Sequence, residues 1–298
     1  MEALALEYPE VTPSSLRFLE REGLVVPERT PGGHRLYRPA DVGRLRRVKR
    51  WQRERLSLAE IRARLAAHDR LPAPEQLAAT FLEHALAGQP GAARRTIQQA
   101  YEAGLPLARL FEEVLRPALY AVGDRWAAGR LTVGQEHEVT ALVRDVLGEL
   151  ALRLPDPAHP RGVVVAAGVP GETHDLGLRM AAGVWAAHGY RVHYLGGDVP
   201  VEAILEALRR LGASVLLLAA TLEPHYAGLE AVLRAVATLP PAQRPRVLAG
   251  GQAVAARPDA VRALGAEPWL DLRRDPTRPP PAPADGPPIP LAELPPDL

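Results

Sequence analysis

The sequence predicts a multidomain protein of mixed α and α/β class, and three segments of the chain support this prediction. Residues 1–70, here called the head, are basic and helical in pattern. Residues 75–153, the bundle, are nearly all helical, and residues 160–273, the α/β segment, alternate short apolar runs with helical patterns. The proline-rich residues 274–298 predict a disordered tail. With 298 residues and 47% hydrophobic content, the chain can bury more than one core.

The composition excludes several kinds of site. The chain has no cysteine, which rules out disulfides, thiolate metal ligands and cysteine nucleophiles. No apolar run reaches membrane-spanning length and the start does not read as a signal peptide, so we expect a cytoplasmic protein without membrane contact. The net charge is only +1, but the head holds 15 Lys/Arg against 10 Asp/Glu. That excess indicates a polyanionic partner for the head.

The head opens with a short helix and then a tight hairpin. Over 12–24, "TPSSLRFLEREGL", the capping Thr12 and Pro13 begin the helix and Gly23 ends it. Over 26–37, "VPERTPGGHRLY", prolines and glycines separate two ends of alternating polarity, which is typical of a β-hairpin.

A helix that enters the major groove, beside a wing that holds phosphates, suits duplex DNA. The alternative is an exposed cationic helix face with no partner. The candidate DNA-binding side chains come from this helix and hairpin: Ser15, Arg17, Arg21, Arg29, His34, Arg35 and Tyr37.

The bundle is predicted to hold four helices. The breaks "AGQPG", "AGLP" and "AGRLT" divide it into helices at about 75–87, 90–103, 107–128 and 132–153. Trp126 is followed after nine residues by Glu136 and His137. On its own, this trio favours a core tryptophan and an exposed helix start.

The α/β segment is predicted to form a Rossmann-like parallel sheet. Apolar runs predict strands at 162–168, 191–197, 214–221 and 246–251, with a candidate fifth at 268–272. Helical patterns follow them at about 175–188, 201–211, 226–238 and 257–264. Strict alternation of this kind predicts helices on both faces of the sheet and a ligand at the carboxyl ends of its strands.

The run 171–177, "GETHDLG", follows the first predicted strand at that edge. A neutral imidazole binds late transition metals, and a histidine ligand needs its second nitrogen held by an acceptor. Glu172 is a candidate acceptor for His174, and Gly177 allows a bulky planar group to approach the helix start. The alternative is a structural or solvated histidine. Because no Asp, Glu or His cluster surrounds it in the sequence, a cofactor with its own metal fits better than a protein-only cage.

The head resembles a known DNA-binding family. Residues 16–51, "LRFLEREGLVVPERTPGGHRLYRPADVGRLRRVKRW", resemble the winged helix-turn-helix of MerR-type transcription regulators, and "RTPGGHRLY" is a specific signature of that family's wing. "LSLAEIRARL" resembles the helix that follows the wing. The stretch 2–10 is shorter than the family's usual first strand and helix.

The α/β segment resembles a cobalamin-binding domain. After Gly177, 41 residues lead to 219–221 and a further 28 lead to Gly250 and Gly251. This spacing is similar to the cobalamin pattern Asp-x-His-x-x-Gly, Ser-x-Leu, Gly-Gly. The resemblance implies that His174 coordinates cobalt from below and that small residues leave room for the nucleotide tail.

Two departures from that pattern bear on binding. Glu172 replaces the usual Asp and keeps the carboxylate, whereas Ala219 replaces the usual Ser and loses a hydrogen bond to the tail. Thr221 lies on the same side of the strand and offers a hydroxyl. We expect weaker anchoring of the tail without loss of binding. Thr173 and Asp175, which flank the histidine, are included in the predicted site.

The bundle resembles that of the light-sensing, CarH/LitR-type MerR regulators, which carry a Trp-x9-Glu-His motif. The resemblance implies that Trp126, Glu136 and His137 surround the upper face of adenosylcobalamin. It also implies an oligomeric repressor, dimer or tetramer, that binds operator DNA in the dark and releases it when light breaks the cobalt–carbon bond. Ala127 stands where some relatives have a histidine.

Three alternatives remain open from the sequence. One is a light-independent regulator that senses cobalamin, in its methylcobalamin or hydroxocobalamin form. A second is a corrinoid carrier subunit of a methyltransferase, and a third is a regulator whose C-terminal module has lost its cofactor. We expect a binding regulator and not an enzyme.

Overall fold

The computed structural model describes residue 8 and residues 11–154 and 157–277. The chain divides into two compact units, Met1–Arg153 and Leu154–Leu298. The predicted head and bundle lie in the first unit and the α/β segment in the second. The predicted tail lies outside the described residues, apart from its first four. Within the described part of the chain, no helix combines the length and the apolar content needed to cross a membrane.

The head is a helical domain with a two-stranded wing. Its elements in chain order are α1 (Pro13–Arg21), β1 (Glu28–Arg29), β2 (Arg35–Leu36), α2 (Pro39–Arg53) and α3 (Leu58–Asp69). The helix α1 begins where it does because the Thr12 hydroxyl accepts the Ser15 backbone N–H at 3.1 Å, and the Ser15 hydroxyl accepts that of Thr12 at 2.9 Å. The strands β1 and β2 are antiparallel, with Arg29 opposite Arg35. The core of the head includes Leu19, Leu45, Trp51 and Ile61.

The bundle contains the four predicted helical stretches. They are α4 (Pro74–Leu86), α5 (Pro90–Glu102), α6 and α7 (Leu107–Leu110 and Arg116–Ala127), and α8 (Val133–Ala151). The third stretch is not a uniform α-helix, because a π-helical turn, Phe111–Leu115, separates α6 from α7. Its apolar side chains Phe111, Val114 and Leu115 are buried.

A tight contact joins head and bundle within the first unit. Trp51, at the end of α2, packs on Gly104, where an added Cβ would lie 2.5 Å from the indole Cζ2. Gly104 also has a φ of +87°, which a larger residue rarely adopts. Nearby, His68 Nδ1 lies 3.1 Å from the Ala103 carbonyl oxygen. Burial and the neighbouring Arg47 lower the pKa of His68.

The second unit is built on a parallel sheet with strand order β4-β3-β5-β6-β7. Its strands are β3 (Val163–Gly168), β4 (Arg191–Gly196), β5 (Val215–Ala219), β6 (Arg246–Gly250) and β7 (Glu267–Pro268). Its helices are α9 (Leu176–Ala187), α10 (Val201–Leu211), α11 (Tyr226–Ala237), α12 (Gln252–Ala256) and α13 (Pro258–Ala263). The chain adds β4 on one side of β3 and then crosses to the other side of β3 to add β5. The gap between the loops that follow β3 and β5 is therefore the topological switch point, where such sheets bind ligands.

The two faces of the sheet are covered by different helices. Val165, Leu216, Leu218 and Val247 pack with α10, α11, α12 and α13 in one core. The helix α9 contacts β3, β4 and β5, and its own buried residues are absent from that core. It therefore covers the opposite face, which the alternation of side chains along each strand makes available.

One helix was not predicted, and one predicted strand differs from the structure. The helix predicted at about 257–264 is α13, and the short helix α12 precedes it as a separate element, because Arg257, next to Pro258, has a non-helical φ of −139°. The candidate fifth strand at 268–272 is reduced to β7. Pairing stops there because β6 ends at Gly250 and the chain then turns, with Asp271 accepting the Arg273 backbone N–H at 2.9 Å.

Candidate cofactor and DNA sites

The loop after β3 is folded tightly against the end of β4. The Asp198 backbone N–H donates to the Glu172 carbonyl at 2.7 Å, and the Asp198 carboxylate accepts the Gly171 backbone N–H at 2.7 Å. A Cβ on Gly197 would lie only 2.5 Å from the Glu172 carbonyl oxygen. The Glu172 backbone is therefore packed closely on Gly197, and its side chain is buried at the switch point.

Glu172 is fully buried, and both of its oxygens are hydrogen-bonded. Oε1 accepts the His174 backbone N–H at 2.6 Å and lies 2.8 Å from His174 Nδ1. Oε2 accepts the Thr221 backbone N–H and lies 2.9 Å from His225 Nδ1. Burial raises the pKa of this carboxyl, but the hydrogen bonds from His174 and Thr221 outweigh it, so the pKa lies below its ordinary value. The group is therefore a carboxylate at neutral pH.

His174 presents one nitrogen away from the protein. Its side chain is half-exposed, at 52%. Because an ionised carboxylate has no proton to give, Nδ1 is the donor to Glu172, and in the neutral imidazole the lone pair is then on Nε2. An imidazole in this state is a metal ligand. A Cβ built on Gly177 meets nothing within 4 Å, so there is open space at the start of α9.

The residues beside His174 have different surroundings. Thr173 is exposed. Asp175 accepts hydrogen bonds from Arg179 Nε at 2.7 Å and from the Tyr194 hydroxyl at 3.0 Å, which ties the loop to α9 and β4. Asp175 therefore holds the loop in this structure.

The predicted tail-binding positions lie at the ends of β5 and β6. Ala219 is buried between Gly168 and Gly250, its partners on the neighbouring strands. Thr221 is half-buried. Gly251 has a φ of +112°, and a Cβ there would lie 2.1 Å from the Ala220 carbonyl oxygen. A glycine is thus required at 251 by the packing of the chain itself.

In the bundle, Trp126 lies in the last turn of α7 and is half-exposed, at 50%. The alternative that it belongs to the bundle core is therefore wrong. Glu136, in the first turn of α8, accepts the Thr140 hydroxyl at 2.7 Å and lies 2.5 Å from His137 Nδ1. His137 is 74% exposed.

In the head, Glu20 of α1 holds the wing. It pairs with Arg29 at 2.6 Å and with Arg35 at 2.5 Å. The hydrogen bonds and charges of these two arginines lower the pKa of Glu20, with Arg35 the larger cause. The wing arginines thus fix the angle between wing and helix.

The other predicted DNA-binding residues differ in exposure. Arg17 and Arg21 are exposed on α1, and the Arg21 guanidinium lies 5.7 Å from the Phe18 ring centre. His34 is exposed at the hairpin turn. The Ser15 hydroxyl is engaged in the cap of α1. Tyr37 packs against the core of the head.

His225 and Glu20 were not found from the sequence. His225 follows Glu172 by 53 positions, in the 3₁₀ turn Glu223–His225. The available signal was topological: loops after adjacent parallel strands meet at one edge of the sheet. In the described part of the chain, Glu172, His174 and His225 form a cluster. One carboxylate oxygen and one nitrogen of each imidazole lie within 4.8 Å of one another.

Comparison with known proteins identifies the three segments. The model for the MerR HTH family regulatory protein matches residues 7–68. Two models for B12 binding domains match residues 77–151 and 162–267.

Relatives that cover most of the chain agree with this assignment. The chain is 34% identical over 248 residues to the HTH-type transcriptional repressor CarH of Myxococcus xanthus, with 77% of each chain covered. It is 30% identical over 264 residues to the repressor CarA of the same organism, with 85% of this chain and 87% of that one covered. The monomethylamine corrinoid protein of Methanosarcina barkeri has a TM-score of 0.55 and 19% identity, over 67% of this chain and 92% of that one, which shows a shared fold. The chain belongs to the family of MerR-type HTH transcriptional regulators with B12-binding domains.

Proposed function

We propose that this protein is a transcriptional repressor that uses adenosylcobalamin as a light-sensing chromophore, and that it binds operator DNA as an oligomer. It acts by binding and not by catalysis. The observation that carries the proposal is His174: a buried carboxylate holds its Nδ1, so Nε2 is free to coordinate cobalt from below. The family membership of the chain supports the DNA-binding half of the proposal.

The residues at the switch point fit the lower face of cobalamin. His174 is half-exposed and oriented, and the space above Gly177 is open. The indole N–H groups of Trp185 and Trp269 are buried without a hydrogen-bond partner in the described part of the chain, and their rings lie 6.2 Å apart. They are donors that the polar nucleotide tail could satisfy.

The bundle residues suit an adenosyl group on the upper face. Adenosylcobalamin, when bound, supplies a cobalt–carbon bond that visible light breaks. Trp126 offers a flat, half-exposed apolar surface, and Glu136 has a carboxylate that accepts hydrogen bonds from hydroxyls. Loss of the adenosyl group would remove the contacts that these side chains would make with it. The balance between DNA-binding and free states then shifts, because only a ligand's differential contacts can move it.

The test compares dark and illuminated protein. The chain is loaded with adenosylcobalamin in darkness, and its oligomer size and its affinity for duplexes selected from a random DNA pool are measured before and after green light. We expect both to fall on illumination. Equal size and affinity in both states would contradict light sensing. His174→Ala serves as the control for lower coordination and should change the visible cobalamin spectrum.

Light-independent sensing of cobalamin is a second candidate. Ala127 at the end of α7 and Ala219 at the end of β5 favour it, because neither side chain can coordinate cobalt or hydrogen-bond the tail. Parallel loadings with methylcobalamin and hydroxocobalamin separate the two functions. DNA affinity that depends on cobalamin but is equal in light and dark selects the second candidate.

A further inference from the structure

The loop after β5 brings a second histidine to the carboxylate that orients His174. The side chain of His225 is only 11% exposed, and its Nδ1 lies 2.9 Å from Glu172 Oε2. The Leu222 backbone N–H lies 3.3 Å from the same nitrogen. Since the ionised carboxylate cannot donate, the proton resides on Nδ1 of His225 and the shorter contact is the hydrogen bond.

The two oxygens of Glu172 are held in matching ways. Oε1 faces the backbone N–H and Nδ1 of His174. Oε2 faces the backbone N–H of Thr221 and Nδ1 of His225. Each oxygen thus accepts one backbone N–H and one imidazole N–H, and loss of His225 would leave Oε2 with the hydrogen bond from Thr221 alone.

We infer that His225 is a positioning residue for the lower cobalt ligand. It fixes the Glu172 carboxylate, and that carboxylate keeps the His174 ring oriented with its proton on Nδ1. The rings of His174 and His225 are 6.0 Å apart and tilted by 41°, so His225 acts through Glu172 and not by direct contact. The inference rests on the proposed role of His174 as lower ligand.

The same geometry disfavours a metal ion bound by the three residues alone. Their ligand atoms lie within 4.8 Å of one another. However, the Nδ1 atoms of both histidines and both oxygens of Glu172 are already engaged with one another and with backbone N–H groups. The groups therefore satisfy each other without a cation.

The test compares His225→Leu with His225→Gln, which retains a donor. We expect His225→Leu to take up adenosylcobalamin with about 10- to 100-fold lower affinity, as is usual when a residue behind a metal ligand is lost. Its visible spectrum should move toward that of His174→Ala, and His225→Gln should restore the wild-type spectrum. His188→Leu, at the end of α9, is the matched control and should keep the wild-type spectrum.

A cofactor-free measurement covers the case in which His225→Leu does not fold. In the cobalamin-free protein, ¹⁵N NMR of the histidine side chains should find His174 protonated on Nδ1 in wild type and in His225→Gln. A His174 protonated on Nε2 in the wild type overturns the inference. A folded His225→Leu with the wild-type spectrum also overturns it, while leaving the proposed function intact. Tight binding of zinc by cobalamin-free wild type, lost in His225→Gln, would replace it with a metal site.

If the wild type takes up no cobalamin, or if His174→Ala leaves its spectrum unchanged, the proposed function itself fails. These outcomes are distinct from those of the His225 variants.

Discussion

Glu20 in the head and Glu172 in the α/β segment are each held at both oxygens by two side chains. Arg29 and Arg35 hold Glu20 at 2.6 and 2.5 Å, and His174 and His225 hold Glu172 at 2.8 and 2.9 Å. The geometries are alike, but Glu172 is buried and Glu20 lies at the surface, where solvent screens it. We call each carboxylate, together with the two side chains that hold it, a clamp. We expect the buried clamp to stabilise the fold and the exposed one only to fix the angle between wing and helix.

Removing the charge from the buried clamp has the largest expected effect. Glu172→Gln keeps the size of the side chain but replaces one acceptor with an NH₂ group, so buried donors lose their partner. Such a loss costs about 1–3 kcal/mol for each unsatisfied group. We expect a drop of about 2–4 kcal/mol in the free energy of unfolding, measured by urea denaturation of the cobalamin-free protein. An unchanged midpoint would mean that burial does not distinguish the two clamps.

A substitution in the backbone that supports the buried clamp has the next largest expected effect. A Cβ at Gly251 would lie 2.1 Å from the Ala220 carbonyl oxygen and 3.1 Å from the Thr221 nitrogen that donates to Glu172. We expect Gly251→Ala to lower the free energy of unfolding by about 2 kcal/mol. The matched control is Gly177→Ala, which meets open space and should leave the cobalamin-free protein as stable while weakening cobalamin uptake. Equal stability of the two variants would contradict this assignment.

The pH dependence of stability sharpens the comparison. Because the pKa of Glu172 is lowered in the folded state, its ionised form stabilises the fold above the ordinary carboxyl pKa of 4.5. This contribution is lost as the pH falls below that value and through the folded pKa. We expect the difference in unfolding free energy between wild type and Glu172→Gln to be constant above about pH 5.5 and to shrink in more acidic solution. A difference that grows on acidification would have the wrong sign.

The exposed clamp should give the smallest change in stability. Glu20→Gln removes the charge that both wing arginines pair with, and we expect little loss of unfolding stability. We expect a measurable fall in DNA affinity, because the wing is no longer fixed against α1. Added salt at about 1 M should erase its stability difference from wild type, since it screens exposed charges, and leave that of Glu172→Gln in place. A loss of unfolding stability in Glu20→Gln that persists at high salt would contradict the assignment of Glu20 as an exposed, screened carboxylate.

The features that the sequence predicted well depend on patterns of neighbouring residues. The alternation of apolar runs and helical segments predicted the parallel sheet and the edge at which the loops after its strands lie. His225 was missed because its contact with Glu172 spans 53 positions and depends on where one turn ends. The π turn at 111–115 carries no breaker, so only packing of its apolar side chains reveals it. Glu20 was not singled out because its pairs with Arg29 and Arg35 form only when the hairpin folds against α1.

The seating of Trp51 on Gly104 has a consequence for engineering. This contact joins the head to the bundle, and it leaves no room for a side chain at position 104. A chimera joined near residue 72 would combine the head of one regulator, with its tryptophan at 51, and the bundle of another. Any residue other than glycine at position 104 would then collide with the indole ring. A chimera that exchanges the head between relatives should therefore keep the tryptophan and the glycine from the same parent.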